Sequence, residues 1–161
     1  MRLGLAALAA TALTGCGGDS TGPLDGDLFL SFRANGSLVE FRDRFSLLAA
    51  FSSSGSQSVL LITGFEATSN AGIQIYDGQP ITTGTYSGFV STSAGSEGVL
   101  ITYVTPEGVL YGLDTTGPVD ATVTITEIGG ARIRGTFSGT ISDGETSLVI
   151  TDGEFLVART N

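Results

Sequence analysis

Two adjoining stretches decide the fold: ATVTITEI at 121–128 and ARIRGTFSGTIS at 131–142. In the first, apolar Val123 and Ile125 alternate with threonine. In the second, isoleucine, glycine and phenylalanine take the odd positions, and arginine, threonine and serine take the even ones. A period of two places successive side chains on opposite faces of a β-strand. The stretches therefore predict two paired strands with one buried face and one hydroxyl-rich outer face.

The corner between these strands predicts the register of the pair. A three-residue loop of Gly129, Gly130 and Ala131, with Gly in the left-handed region, sets Val123 opposite Phe137 and Thr126 opposite Arg134. Two inward positions of the second strand, Gly135 and Gly139, have no side chain to fill a core. Either the sheet coils sharply there, or space is left for a ligand.

The rest of the chain repeats this pattern. Gly reaches 24 of 161 residues, Trp is absent, and turn signals separate short alternating runs, which is typical of all-β proteins. Asn35-Gly36 predicts a two-residue hairpin loop that pairs Phe32 with Val39. Residues 41–48 also fit a helix. We expect one antiparallel β domain over 28–161, a sandwich or a flattened barrel built largely from consecutive hairpins.

An Asp-Gly-Glu triplet occurs twice near the C-terminus, at 143–145 and at 152–154. The first predicts a two-residue Asp143-Gly144 turn that places Phe137 opposite Ile150. The second predicts another turn at Asp152-Gly153, or a glycine bulge within one long strand. Asp and Gly both tolerate positive φ, so turn chemistry explains both triplets. A structural calcium ion is the alternative, although no calcium-loop motif accompanies them.

The N-terminus carries the most specific motif. Arg2 precedes an apolar run over 3–13 that is too short to span a bilayer. Leu13-Thr14-Gly15-Cys16 follows, and it closely resembles the lipobox of bacterial lipoproteins. The resemblance implies that signal peptidase recognises Leu13, Thr14 and Gly15 and removes residues 1–15. It also implies that Cys16 carries a diacylglyceryl group and an acylated amine, which together anchor the chain to a membrane.

Residues 16–27 comprise the lipidated Cys and a flexible linker of Gly, Ser, Asp and Pro. Gly17 stands where Asp favours inner-membrane retention in enterobacterial lipoproteins, so the resemblance implies the outer membrane. The segments GTYSGF, VTITEI, RGTFSGTISD and ITDGEF resemble a family of small exported bacterial lipoproteins of unknown function. That likeness covers most of residues 28–158, supports the all-β fold and implies no catalytic residue.

Little catalytic chemistry is available. The chain has no His or Lys and a single Cys, which removes the usual nucleophile–base pairs and Cys/His zinc sites, and we expect no cofactor. An excess of 16 acidic over 7 basic residues argues against nucleic-acid binding. Paired carboxylates could hydrolyse glycosides. The candidate carboxylates are Glu40, Glu66, Asp77, Glu97, Glu107, Asp114 and Glu127.

Two further groups of side chains could bind a ligand. Arg132 and Arg134 share the outer face and could hold an anion, or they could pair with Glu127. Tyr76, Tyr86, Tyr103 and Tyr111 could stack on sugars, or they could be half-buried packing residues. We therefore expect a non-enzymatic envelope module that binds a protein, glycan or small ligand or serves as a structural part. A carboxylate-based glycoside hydrolase is the alternative.

Overall fold

The computed structural model describes residues 28–112 and 119–160, and all the regular structure in these ranges is β. The strands are β1 (Phe29–Ala34), β2 (Ser37–Phe41), β3 (Leu48–Ser54), β4 (Gln57–Glu66), β5 (Ser69–Asp77), β6 (Gly84–Ser87), β7 (Phe89–Thr92), β8 (Gly95–Val104), β9 (Leu110–Tyr111), β10 (Asp120–Ile128), β11 (Arg132–Ser142) and β12 (Ser147–Thr160). The predicted all-β fold is confirmed. The helix considered over 41–48 is wrong, because 42–47 form a turn between β2 and β3.

The strands form one sheet in the order β6-β10-β11-β12-β3-β4-β5-β8-β7, with β1 and β2 added beside β12 and β9 beside β8. Every pairing is antiparallel except the short parallel contact between the end of β12 and the start of β3. The terminal strands β6 and β7 follow each other in the chain across Gly88, so the sheet folds over on itself. Gly88 itself bonds both layers, since its N–H donates to Ala121 and its carbonyl accepts from Val99.

The folded sheet encloses a core of aromatic and branched side chains. The Phe32 ring of β1 lies 5.2 Å from the Tyr103 ring of β8 and 5.7 Å from the Phe137 ring of β11, each contact edge-on. Phe155 of β12 lies beside Phe137 at 6.3 Å. Because β1 and β8 belong to different layers, these contacts join the two layers into a flattened sandwich.

The predicted Asn35-Gly36 hairpin is confirmed, whereas the predicted Asp143-Gly144 turn is wrong in length. Asn35 and Gly36 both have positive φ, and Phe32 lies opposite Val39 as predicted. The first acidic triplet forms a four-residue loop over 143–146 instead of a two-residue turn, so Ile150 lies opposite Gly139 and not Phe137. The error is two residues, which keeps every side chain on its predicted face.

The second triplet is a bulge within β12, as the alternative prediction had it, and not a hairpin turn. Phe137 lies opposite Gly153 and Gly139 lies opposite Ile150, so Thr151 and Asp152 together face a single residue of β11. Asp152 has a φ of 51°. An extra residue of this kind increases the local twist, and it lets one long strand pair with β11 and β1 and then continue beside β3.

The prediction for the glycine corner is correct in register away from the corner but wrong in register beside it and wrong in the form of the loop. Val123 does lie opposite Phe137. The N–H of Gly129 donates to the carbonyl of Arg132 at 2.8 Å, which leaves a tighter loop than predicted, and neither Gly129 nor Gly130 adopts a positive φ. The additional residue is absorbed instead by a bulge at Thr126, so that Glu127 takes the predicted place of Thr126 opposite Arg134.

The two inward glycines of β11 mark close packing and leave no room for a ligand. A Cβ at Gly135 would meet the carbonyl of Thr124 and lie 2.5 Å from Cζ of Phe155. A Cβ at Gly139 would lie 2.9 Å from Cα of Ala121. The close approach of the β10 backbone therefore explains both glycines, and the Phe155 ring takes up the space at Gly135.

Candidate functional site

The motif residues Leu13, Thr14, Gly15 and Cys16, with the linker that follows, lie outside the described residues. The described chain begins at half-buried Leu28, directly before β1. There the guanidinium of Arg42 lies 5.6 Å from the centre of the Phe29 ring. Within residues 28–112 and 119–160, no helix is long and apolar enough to cross a membrane.

The seven predicted carboxylates do not form one site in the described chain. Glu40 pairs with Arg42 at 3.0 Å, Glu127 pairs with Arg132 at 3.6 Å, and Asp77 accepts a hydrogen bond from the Gln79 N–H at 2.8 Å. The remaining described candidates are exposed on separate strands and turns: Glu66, Glu97 and Glu107. Asp114 lies outside the described residues. These positions match solvated corners better than a paired acid and base.

Two acids that sequence reasoning treated only as turn residues do share a groove. A shallow depression of about 330 Å³ lies on the outer face of β10, β11 and β12, where the bulge bends the long strand. Its polar lining comprises Thr122, Thr124, Thr136, Ser138, Asp152 and Glu154. The Asp152 side chain is 75% exposed and pairs with Arg33 at 3.4 Å. The groove therefore offers hydroxyl and carboxylate groups to a polar ligand.

The first acidic triplet is a self-contained loop. Asp143 accepts hydrogen bonds through one carboxylate oxygen from the N–H groups of Thr146 at 2.7 Å and Glu145 at 2.9 Å. The bond from Thr146, followed by that from Glu145, lowers the pKa of the Asp143 carboxyl below its ordinary 3.8. Nowhere in the described ranges do three Asp, Glu, Cys or His side chains gather as a metal site.

The arginines differ in their surroundings. Arg132 pairs with Glu127 as the structural alternative predicted, whereas Arg134 is exposed on the outer face. Arg159, which sequence reasoning passed over, points toward the core from the end of β12. It donates to the Gly129 carbonyl at 3.2 Å and stacks on Phe51 at 4.9 Å. Its Nε is buried without a hydrogen-bond partner among the described residues, and a shallow groove of about 300 Å³ lies beside it.

The tyrosines pack individually and do not form a stacking surface. Tyr103 is buried in the core, where burial and then the Glu107 carboxylate raise the pKa of its phenol above the ordinary 10.0. Tyr76 packs edge-on against Phe89 and donates to the Gln74 side chain. The Tyr86 hydroxyl bonds both the N–H and the carbonyl of Thr82. The packing interpretation therefore fits better than a sugar platform.

Comparisons with known proteins give no match: no family model, no curated protein and no solved structure matches the chain. The resemblance to exported lipoproteins therefore stays a prediction from the motif.

Proposed function

We propose that the chain is a lipid-anchored protein of the bacterial cell envelope whose β domain is a non-enzymatic binding or structural module. The proposal rests on one observation, the order of the motif, the linker and the β domain along the chain. A lipobox at residues 13–16 is followed by a polar linker and then by β1 at Phe29. A diacylglyceryl Cys16 with an acylated amine would hold the domain stably at a membrane, since several acyl chains act on one residue.

The arrangement of the domain supports a binding role over catalysis. The described acids of the predicted catalytic set lie apart, while the groove at the β12 bulge presents hydroxyl and carboxylate groups to solvent. Such groups make hydrogen bonds to a glycan or to a protein surface without activating either. We propose the outer membrane as the location, because Gly17 follows the lipidated Cys.

Metabolic labelling with a fatty-acid analogue tests the anchor. We expect the unaltered protein to incorporate label and Cys16→Ser to lose it completely, because acylation requires the Cys sulfur. A second variant controls for general thiol acylation: Cys16→Ser combined with Ser20→Cys keeps one cysteine in the linker but outside the motif. Label on this double variant, or on Cys16→Ser itself, would overturn the lipobox interpretation.

The hydrolase remains the second candidate because Asp152 and Glu154 line one groove. The general acid of a glycosidase typically occupies an apolar pocket, whereas both of these residues are exposed. We expect no release of reducing sugar from peptidoglycan or from envelope polysaccharides. Hydrolysis that disappears in both Asp152→Asn and Glu154→Gln would establish the enzyme instead.

Protease treatment of intact cells, with a periplasmic protein as the leakage control, then defines where a partner must be sought. Cleavage of the domain would place it outside the cell, among external glycans and neighbouring surfaces. Protection until the outer membrane is opened would direct the search to the periplasm and the cell wall.

A further inference from the structure

The turn between β2 and β3 holds the most exposed large apolar side chain in the described ranges. Phe45 is 74% exposed, although Leu47, two residues further on, is fully buried. The guanidinium of Arg44 lies 4.7 Å from the centre of the Phe45 ring. An aromatic ring stacked under an arginine and open to solvent is a common element of interaction surfaces.

The backbone of this turn is fixed by hydrogen bonds. The Asp43 carboxylate accepts from the N–H of Phe45 at 3.0 Å, and the Asp43 carbonyl accepts from the N–H groups of Ser46 at 3.0 Å and Leu47 at 3.2 Å. On the far side, the Leu47 carbonyl accepts from the N–H of Ala158 in β12. Phe45 is therefore held outward by a rigid turn, and little conformational entropy remains to be lost when it binds.

A second exposed aromatic residue adjoins the turn. The Ser46 hydroxyl donates to the carbonyl of Phe65 at 2.8 Å, which ties the end of β4 to the turn beside Phe45. Phe65 is 50% exposed and projects from the outer face of its strand. Arg42, Arg44 and Phe45 of the turn, together with Phe65 at the adjoining end of β4, are hereafter the tether-side patch.

The patch lies where the linker joins the domain. Arg42 stacks over Phe29, the first residue of β1, and the described chain begins one residue earlier. Eleven residues, 17–27, separate Leu28 from Cys16, and fully extended they reach about 36 Å at roughly 3.3 Å per residue. If Cys16 is lipidated, as proposed above, this side of the domain stays within that distance of the bilayer and meets it at a high effective concentration.

The charges of the patch also suit a headgroup region. The chain as a whole is acidic, so most of its surface is repelled by anionic lipid. Two of its seven arginines fall within the four-residue stretch 42–45. Glu40 and Asp43 balance these two arginines in charge, and Glu40 pairs with Arg42, so the stretch 40–45 has no net charge and lacks the repulsion that acts on the acidic surface elsewhere. Aromatic rings and arginines are the side chains that favour the membrane interface.

We propose that the tether-side patch docks on the membrane that carries the lipid anchor, with Phe45 and Phe65 entering the interfacial region and the arginines at the headgroups. The anchor then supplies the affinity, and the patch fixes which side of the domain faces the bilayer. The groove at the β12 bulge belongs to a different part of the sheet and stays available to a partner.

A single tryptophan reports this orientation, because the chain contains none. Phe45→Trp, in the full lipidated chain, is reconstituted into vesicles of phosphatidylethanolamine and phosphatidylglycerol brominated at the upper acyl carbons. Bromine quenches only indole that reaches the acyl region. Val90→Trp is the matched control, since Val90 is 61% exposed and pairs with Glu97. Val104 of β8 lies at the level of Phe65, because both pair with Asn70. Glu97 lies seven residues from Val104 along β8, a distance of about 23 Å.

We expect the indole emission of the Phe45→Trp chain to fall by more than half and to shift to shorter wavelength, while that of the Val90→Trp chain stays unchanged. Adding Phe65→Ser to Phe45→Trp should weaken the quenching. Equal quenching of both reporters would overturn the docking and leave the anchor intact. The same conclusion would follow if the Phe45→Trp chain carried the fatty-acid label at Cys16 and showed no quenching. A chain without label at Cys16 would instead overturn the anchor, and quenching of its Phe45→Trp reporter on added vesicles would still decide the docking.

Discussion

The two outer faces of the sandwich are both built from β-strands but carry different side chains. On the β10–β11 side, one cross-strand row runs from Thr85 through Thr124, Thr136 and Glu154 to Ser31. On the β4–β5 side, the corresponding row is Ala50, Leu61, Gln74 and Leu100. Both rows belong to strands whose inward residues are almost completely buried. Thr124, Thr136 and Glu154 of the first row line the groove, whereas the second row, apolar except for Gln74, is largely half-buried.

The difference shows that alternation fixes which side of a strand is buried but leaves the chemistry of the outer side open. β-branched threonine satisfies the strand geometry as well as valine does, so a hydroxyl ladder costs the fold little. Leu61 and Leu100, on either side of Gln74 in this row, are unusual residues for strand positions that face water, and exposed apolar side chains of this kind contribute to interaction sites. The polar and apolar faces therefore suit different contacts.

The first test of the comparison is whether inner and outer positions differ as strongly as their burial implies. Phe155→Ala removes a fully buried ring that packs on Phe137 and covers Gly135. We expect the free energy of unfolding to fall by about 3–5 kcal/mol. Phe65→Ala, the same change on the outer face, should cost no more than about 1 kcal/mol. Urea denaturation followed by circular dichroism measures both, and equal losses would contradict the assignment of faces.

The second test exchanges the chemistry of the two outer faces. Leu61→Thr removes partly buried apolar area, and we expect a loss of about 1 kcal/mol together with reduced binding of a hydrophobic dye. Thr124→Val keeps the shape but removes the hydroxyl pair with Thr85 at 2.9 Å, and we expect about 0.5 kcal/mol with increased dye binding. Thermal unfolding and dye fluorescence together measure the exchange. Dye binding that does not respond to Leu61→Thr would show that the apolar face is not the accessible one.

The sequence predicted which face of the sheet each side chain occupies better than it predicted which residues lie opposite each other. The reason is that alternation with a period of two fixes only the face. The loop at 143–146 is two residues longer than predicted, yet Ile150 and Leu148 remain inward because a shift of two preserves the face. Pairings between distant strands were beyond the pattern. The pairing of β6 with β10, of β5 with β8 and of β12 with β3 depends on how the sheet folds over, which local alternation does not encode.

The groove escaped prediction for a related reason. Asp152 and Glu154 belong to a triplet whose residues are the usual ones for turns, so a turn explained them fully. Only the bulge in β12 places them on the outer face beside Thr136 of β11. The predicted glycine bulge was the feature of the sequence that could have revealed the groove. A bulge leaves β12 unbroken, and an unbroken strand keeps Glu154 paired with β11. Phe45 was likewise hidden, because its spacing from Phe41 and Leu48 also suits a buried helix face.

The smallest expected effect is a pH dependence of stability that should arise in one layer of the sandwich and not in the other. The loop between β11 and β12 is held by hydrogen bonds to the Asp143 carboxylate. The loop between β3 and β4, in the other layer, contains only Gly55 and Ser56. The pKa of Asp143 is lower in the folded chain than its ordinary 3.8. Its contribution to stability is therefore fully present above that value and is lost as the pH falls through the lower folded pKa.

Asp143→Asn should consequently be less stable than the unaltered chain near neutral pH, because an amide oxygen accepts the Thr146 and Glu145 N–H groups less strongly than a carboxylate does. The difference should shrink as the pH falls below the ordinary 3.8 and disappear below the lower folded pKa, where both chains present a neutral acceptor. Glu145→Gln is the matched control, because it removes the same charge from the same loop and keeps the Asp143 acceptor. Urea denaturation at a series of pH values gives the comparison. A constant gap between Asp143→Asn and the unaltered chain down to acid pH would show that the loop depends on shape and not on the ionised carboxylate.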